Sequence, residues 1–183
     1  EHATSPDEET LWRAVESRWG ELEFESAWRD RAEKTRARDL VRRLHVYLRD
    51  FEAAGGRLLG AEPHFEVPIP IDGAPEGRGA VLSGYIDRVE VTADGKVVIV
   101  DLKTGKSEPQ TSAKVIDNPQ LAAYQLAFES GAIPEAVGFA PGGAKLLVLR
   151  PTAASKDYVT PWQAPFDEEG RELKTFNVRD GLG

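Results

Sequence analysis

Hydrophobic positions along this chain recur with two different periods, and the change from one to the other sets out the fold. Between residues 7 and about 22, Leu11, Val15 and Trp19 return every fourth position, the stripe of an amphipathic helix that Ser5-Pro6 would start. Residues 26 to about 54 put Leu40, Val41, Leu44, Leu48 and Phe51 on one stripe and arginines elsewhere, and Gly55-Gly56 ends this second helix. The period then falls to two. Phe65, Val67 and Ile69 alternate within a strand over residues 57–71, whose prolines suit an edge, and the Gly, Pro and acids of residues 71–79 predict a loop. Strands over residues 81–91 and 96–103 follow, joined as a hairpin by Ala93-Asp94-Gly95.

Residues 105–117 are polar, contain Pro109 and show no period, which predicts a mobile loop. Asn118-Pro119 then opens a helix that runs to about residue 130, with Asn as cap and Pro in the first turn. Leu146, Leu147, Val148 and Leu149 mark a strand over residues 145–150, and residues 158–162 a further short one. The tail, residues 167–183, has charge and no apolar stripe. The order α, α, β, β, β, α, β, β predicts an α/β protein with a central mixed sheet flanked by helices.

Composition narrows the chemistry. At 183 residues the chain is long enough for one domain and short for two, divided here into a helical part (1–56), a core (57–163) and a tail (164–183). With 40% hydrophobic and 30% charged residues it reads as globular, and no apolar run nears the roughly 18 to 20 residues of a membrane helix. The acidic, polar start is unlike a signal peptide. Zero cysteines exclude disulfides, thiolate zinc sites, iron–sulfur clusters and a cysteine nucleophile within this stretch, so any metal is held by oxygen or imidazole. Zero methionines point to a segment of a larger polypeptide.

A formal net charge of −8 argues against a surface that coats nucleic acid indiscriminately. The second helix is the exception. Arg29, Arg31, Lys34, Arg36, Arg38, Arg42, Arg43 and Arg49 there outnumber Asp30, Glu33, Asp39 and Asp50. A solvated helix face is the plainer reading of these arginines, and nucleic-acid contact is the alternative.

The stretch of greatest chemical interest is Val98-Ile99-Val100-Asp101-Leu102-Lys103-Thr104-Gly105. On a strand, Asp101 and Lys103 share one face while Leu102 points the other way, into apolar packing. Asp87 stands on the neighbouring strand, and Gly84 before it permits a close approach. Two carboxylates could share one hard cation such as Mg²⁺ or Mn²⁺. Lys103 could orient or deprotonate an attacking water, or neutralise charge growing on a phosphate. A plain salt bridge between Asp101 and Lys103 is the competing account. Gln120 and Tyr124, four apart on one helix face, add an amide and a phenol that suit phosphate, unless Tyr124 is simply core. Thr104-Gly105-Lys106-Ser107 imitates the end of a P-loop, but that motif needs glycine at Val100.

Taken as a set, Glu62-Pro63-His64-Phe65-Glu66, Gly84-Tyr85-Ile86-Asp87-Arg88-Val89, Val100-Asp101-Leu102-Lys103-Thr104-Gly105-Lys106 and Gln120-Leu121-Ala122-Ala123-Tyr124 resemble the motifs of PD-(D/E)XK nucleases, most closely the RecB-type branch. The resemblance implies a restriction-endonuclease-like core in which Asp87, Asp101 and the backbone carbonyl of Leu102 bind Mg²⁺ or Mn²⁺. It implies that Lys103 positions the attacking water and that Gln120 and Tyr124 steady the phosphate and the lysine. Glu62 matches an upstream acid that supports the site from outside the metal's direct ligands, and His64 and Glu66 read as ordinary strand residues.

No expected helix of this sequence carries the Gly-x-x-x-His usual in that branch; His2 lies near where it would end, and its glycine would precede residue 1. The implied protein is a metal-dependent deoxyribonuclease domain of a helicase–nuclease similar to RecB, AddAB or AdnAB. It would process double-strand breaks at the bacterial nucleoid in the cytoplasm, with DNA, most readily single strands, fed by an ATPase motor in the same chain or in a heterodimer partner. The alternative is a catalytically inactive DNA-binding or scaffolding module of such a complex.

Overall fold

The computed structural model describes residues 6–71, 79–150 and 156–166. Two helices open the chain, α1 (Glu8–Ser17) and α2 (Ala27–Ala53), with a short 3-10 turn at Trp19–Glu21 between them. Asp7 caps α1, its carboxylate accepting the Thr10 amide, one residue beyond the expected start. Trp12 is the buried anchor of α1 against α2, with the Arg38 guanidinium 4.8 Å from its ring centroid.

Strands β1 (Arg57–Ala61), β4 (Arg88–Val91), β5 (Lys96–Lys103), β6 (Ala140–Val148) and β7 (Trp162–Gln163) form one sheet in the order β1-β4-β5-β6-β7. β5 and β6 run parallel and every other neighbour antiparallel, so the sheet is mixed as expected. The parallel pair requires a crossover, and α3 (Pro119–Glu129) supplies it.

β2 (His64–Pro70) and β3 (Gly79–Tyr85) form a separate two-stranded ribbon. The expected strands over 57–71 and 81–91 are therefore each broken in two. The pairing survives the break: Ala61 faces Arg88 on one side and His64 faces Tyr85 on the other, so no residue is gained or lost. Between them the Glu62 amide donates to the Asp87 carbonyl and the Ile86 amide to the Pro63 carbonyl. Both strands of one long hairpin bend together. Pro63 and a left-handed Glu62 (φ 52°) make the bend on one side, where alternation of apolar residues gives no warning of it.

The sheet is covered on both faces. Ile99, Leu146 and Val148 meet α3 through Leu121, Tyr124 and Ala127, in a core that extends to Phe65 and Val67 of the ribbon. On the opposite face Val100, Leu147 and Leu149 pack under Tyr47 and Leu48 of α2. Within that second interface Glu90 is fully buried and ionically satisfied. It accepts from the Tyr47 hydroxyl (2.6 Å) and the Arg88 guanidinium (2.5 Å), and pairs with the Lys145 ammonium (2.8 Å). Burial beside the Glu90 charge pushes the Tyr47 phenol pKa far up, so it remains a proton donor.

The arginines of α2 are largely occupied by acids: Arg29 with Glu25, Arg36 with Glu33, Arg38 with Glu9, and Arg42 and Arg43 with Asp39 and Asp157. Most of these side chains are exposed, as a solvated face requires, but Arg43 is buried.

Three further expectations change. Leu102 is 39% exposed and absent from the apolar cluster under α2, because the apolar stripe of that helix covers β5 at Val100 and not at its end. The loop over 105–117 is anchored: Ser112–Lys114 form a 3-10 turn, Val115 is fully buried, and Gln163 Nε2 donates to the Val115 carbonyl at 3.0 Å. β6 begins five residues earlier than expected, at Ala140, and the closing strand is Trp162–Gln163, with Val159 making only an isolated bridge to Val148. Residues 72–78 and 167–183, where a loop and a tail were expected, lie outside the described residues.

β7 can close on β6 because Gly143 has no side chain. Its φ is +83°, and a Cβ there would sit 2.3 Å from the Gln163 carbonyl oxygen. Gly143→Ala is expected to lower stability by about 2 kcal/mol, through backbone strain and loss of the β6–β7 contact. A urea unfolding midpoint equal to wild type would refute this.

Candidate active site

Asp101 lies on the α3 face of β5, in line with Ile99, and is 2% exposed. Lys103, two residues on, brings its ammonium to 2.8 Å from Asp101 Oδ2 and donates to Gln120 Oε1 at 3.1 Å. Gln120 Nε2 in turn donates to the Tyr124 hydroxyl at 2.9 Å. That hydroxyl stands 3.3 Å from the Tyr85 carbonyl and 3.4 Å from Asp101 Oδ1, one proton facing two acceptors. A chain of polar contacts therefore runs from β5 to α3 and back to the ribbon. Asn118 fixes where α3 begins, accepting the Leu121 amide at 3.0 Å, and so fixes the height of Gln120 above Lys103.

Tyr124 meets both descriptions offered for it. Its ring is core, 6% exposed and edge-on to Phe65 with centroids 6.0 Å apart, while its hydroxyl belongs to the polar chain. Burial, with the Asp101 and Asp87 charges nearby, raises its pKa to about 12, so it is protonated at neutral pH.

Asp87 reaches the same place from the bend in the hairpin. β4 pairs with β5 only as far as Arg88 opposite Val100, so the Leu102 amide has no strand partner on that side. Asp87 Oδ2 accepts it at 2.6 Å. The Lys103 carbonyl is taken by the Leu149 amide beyond β6, on the other edge of β5. Strand geometry turns the N–H and C=O of one residue to the same edge, so the Leu102 carbonyl opens toward Asp87.

Glu62 sits across the bend, exposed, joined to Asp87 through the main chain at 3.2 Å. Gly84 does permit a close approach, though of a ring and not of a backbone: a Cβ there would lie 3.3 Å from Phe65. His2 lies outside the described residues.

One oxygen in this cluster is anomalous. Asp101 Oδ2 is buried and forms no hydrogen bond, because Lys103 approaches it as an ion pair without hydrogen-bond geometry. Burial raises the Asp101 pKa above the ordinary carboxylate range, against the pull of the Lys103 ammonium and with the Asp87 charge pushing the same way. A buried acid held above its ordinary pKa beside a second acid would be relieved by a cation.

Some supporting groups carry little sequence signal. Gln125 and Gln163 are both buried; Gln125 Nε2 donates to Gln163 Oε1 at 2.7 Å, and Gln163 Nε2 donates to the Ile116 carbonyl at 2.8 Å. They tie β7 to the segment that launches α3. A glutamine amid the apolar positions of α3 is the one hint of this. Glu90, behind the site, is hidden inside a strand that otherwise reads as apolar.

A mixed sheet with helices on both faces, whose central strand ends in an Asp-x-Lys beside a bent hairpin bearing another aspartate, is the restriction-endonuclease-like arrangement. The chain matches the PD-(D/E)XK nuclease superfamily over residues 1–178 and belongs to it. No curated protein matches the chain. Among solved structures, one described as "Crystal structure of SSO0001" is similar at 13% identity, over 92% of this chain and 71% of that one, with a TM-score of 0.32. Proteins of this superfamily are in general nucleases that use divalent metals. Among the described residues no helix is long and apolar enough to cross a membrane.

The groups that could hold such a metal are the Asp87 and Asp101 carboxylates and the Leu102 carbonyl, all hard oxygen donors, with Asp101 Oδ2 lacking a hydrogen bond. Mg²⁺ is commonly held by one or two carboxylates with water filling its other positions, so this donor set fits it or Mn²⁺. Among the described residues no group of three or more His, Cys, Asp or Glu side chains gathers to make a fuller shell.

Asp101→Asn removes the strained charge and is expected to raise stability by roughly 1 kcal/mol at neutral pH without metal. Because its folded pKa lies above the unfolded one, the stability that Asp101 contributes is present below the unfolded pKa and is lost as pH rises through the folded one. The variant should lack that loss. Urea unfolding in chelator from pH 4 to pH 8 checks both statements, and an Asp101→Asn curve parallel to and below wild type would contradict them.

Proposed function

We propose that this chain is a metal-dependent deoxyribonuclease domain of a helicase–nuclease. It hydrolyses phosphodiester bonds, chiefly of single DNA strands that an ATPase motor in the same chain or a partner subunit delivers during double-strand-break processing. The observation that carries the reading is the run of short contacts through Asp101, Lys103, Gln120 and Tyr124, with Asp87 joined to the same strand end through the Leu102 amide, around a buried carboxylate oxygen that has an ion pair to Lys103 and no hydrogen bond. A salt bridge alone requires two of these five.

In this reading Asp87, Asp101 and the Leu102 carbonyl hold Mg²⁺ or Mn²⁺, and the ion supplies Lewis-acid stabilisation of the phosphate as it is attacked. Asp87 would do two things at once, its Oδ2 holding the Leu102 amide and so setting the strand end while its other oxygen serves the ion. The Lys103 ammonium lies beside Asp101, with Gln120 fixing its direction. From there it orients an attacking water and offsets the negative charge that grows on the phosphoryl oxygens. The Tyr124 hydroxyl accepts from Gln120 Nε2 and so holds Gln120 in the amide orientation that Lys103 requires. Glu62 shapes the bend that presents Asp87.

The lack of a third acidic or imidazole group among the described residues favours a second reading, an inactive DNA-binding or scaffolding module. Cleavage separates the two. Asp101→Ala and Lys103→Ala should each reduce Mg²⁺- or Mn²⁺-dependent cleavage of a labelled single-stranded oligonucleotide by at least about a hundredfold. Calorimetry should show Mn²⁺ binding to the Lys103 variant and none to Asp101→Ala. Cleavage that survives in both variants would overturn the assignment, and a wild-type protein that binds no Mn²⁺ would favour the inactive module.

A further inference from the structure

The outer face of the β2–β3 ribbon carries two aromatic rings that contribute nothing to the core. Tyr85 is 67% exposed, and His64, its register partner, is exposed as well, their ring centroids 4.8 Å apart and their planes tilted by 52°. Packing is done by the other face, where Phe65 and Val67 are buried. A large ring held in water by a neighbouring ring, and not folded down on the protein, is kept ready for something to cover it.

Its position says what. Tyr85 and Asp87 are both exposed, on either side of the fully buried Ile86, so the ring is carried two residues from Asp87 across the bend. The main chain there is fixed too. The Tyr85 carbonyl meets the Tyr124 hydroxyl at 3.3 Å, and that hydroxyl lies 3.4 Å from Asp101 Oδ1. The main chain that carries the Tyr85 ring is thus tied to the Asp101 carboxylate through a single hydroxyl. Glu62 in the bend before β2 and Glu66 on β2 are both exposed, which makes this strip unfavourable for a phosphate and leaves the flat rings as its usable surface. A group that is planar, aromatic and uncharged fits there, and a nucleic acid offers one on every residue.

We propose that Tyr85, backed by His64, is a stacking subsite for the unpaired nucleobase next to the scissile phosphate. The proposal rests on the nuclease reading for its location and deepens it by naming what part of the substrate is held. A base in a duplex has no free face to offer, so the subsite selects single strands and duplex ends that have opened. Any base suffices, so it confers strand form and not sequence.

The test uses a single-stranded oligonucleotide with 2-aminopurine at successive positions, bound to the protein in Ca²⁺, followed by cleavage in Mn²⁺. Wild type should quench the probe most at the base adjoining the cut. Tyr85→Ala should abolish that quench and weaken binding about tenfold, with Tyr85→Trp restoring both. An abasic residue at that position should weaken wild-type binding by a similar factor and leave Tyr85→Ala unaffected. The urea unfolding midpoint of Tyr85→Ala should match that of wild type, showing that the ribbon remains folded. A wild-type protein that shows no quench maximum, or an abasic penalty as large in Tyr85→Ala as in wild type, overturns the subsite even if cleavage is robust. Quench and coupling without cleavage would instead uphold the subsite and refute the nuclease reading.

Discussion

Everything at the site depends on a missing hydrogen bond in the sheet. β4 stops pairing at Arg88, and the main-chain groups of Leu102 on β5 are left without a strand to meet them. An unpaired amide in a half-covered position is costly, and the Asp87 side chain removes the cost by accepting it at 2.6 Å. That one contact joins the bent hairpin to the central strand. It also requires the carbonyl of the same residue to face the gap, so two oxygens of different kinds arrive there for one structural reason. The bend at Glu62 and Ile86 is what ends β4 early, and so the departure from regular pairing and the assembly of the site are the same event.

Behind that gap the fold is stiffened by charge. Arg88 follows Asp87 directly, and its guanidinium is held by the fully buried Glu90, which also binds Tyr47 of α2 and Lys145 of β6. An unpaired Glu90 would be very unfavourable in that interior, so the three partners must arrive together. α2 therefore has little freedom to slide on the sheet, and the start of β4 little freedom to shift. The site side of the sheet holds an under-satisfied acid while the α2 side holds an over-satisfied one. The second supplies the rigidity that lets the first persist.

The helices, the hairpin at Ala93-Asp94-Gly95 and the mixed sheet could be read from period and punctuation, because caps, glycines and alternation act locally. Asn118-Pro119 even located α3 to the residue. The bend could not be read this way. It moves the chain from one sheet to another without changing register, so Phe65, Val67 and Val89 keep their alternation on both sides of it. The exposure of Leu102 was also hidden, since it depends on where the apolar stripe of α2 runs out, and His64 and Tyr85 look like any strand residues until their solvent exposure is seen. Asp-x-Lys was legible as a candidate through its companions Asp87, Gln120 and Tyr124, whose proximity is a matter of the bent hairpin and the β5–α3 crossover and not of the five residues themselves.

That crossover has a consequence for how the molecule could vary. The five side chains all come from residues 87–124, an uninterrupted run comprising half a hairpin, one strand, one anchored loop and one helix. Their order and separation along the chain are set inside that run, and its shape is held from outside by Glu62 and Pro63 at the bend and by Gln163 below α3. The flanking helices and the closing strand confer stability on it without contributing a side chain to the polar chain. Such a unit is portable: segments grafted before β1 or after β7 could change what the protein is attached to, and what hands it a strand, while the spacing between Asp87 and Tyr124 stayed as it is.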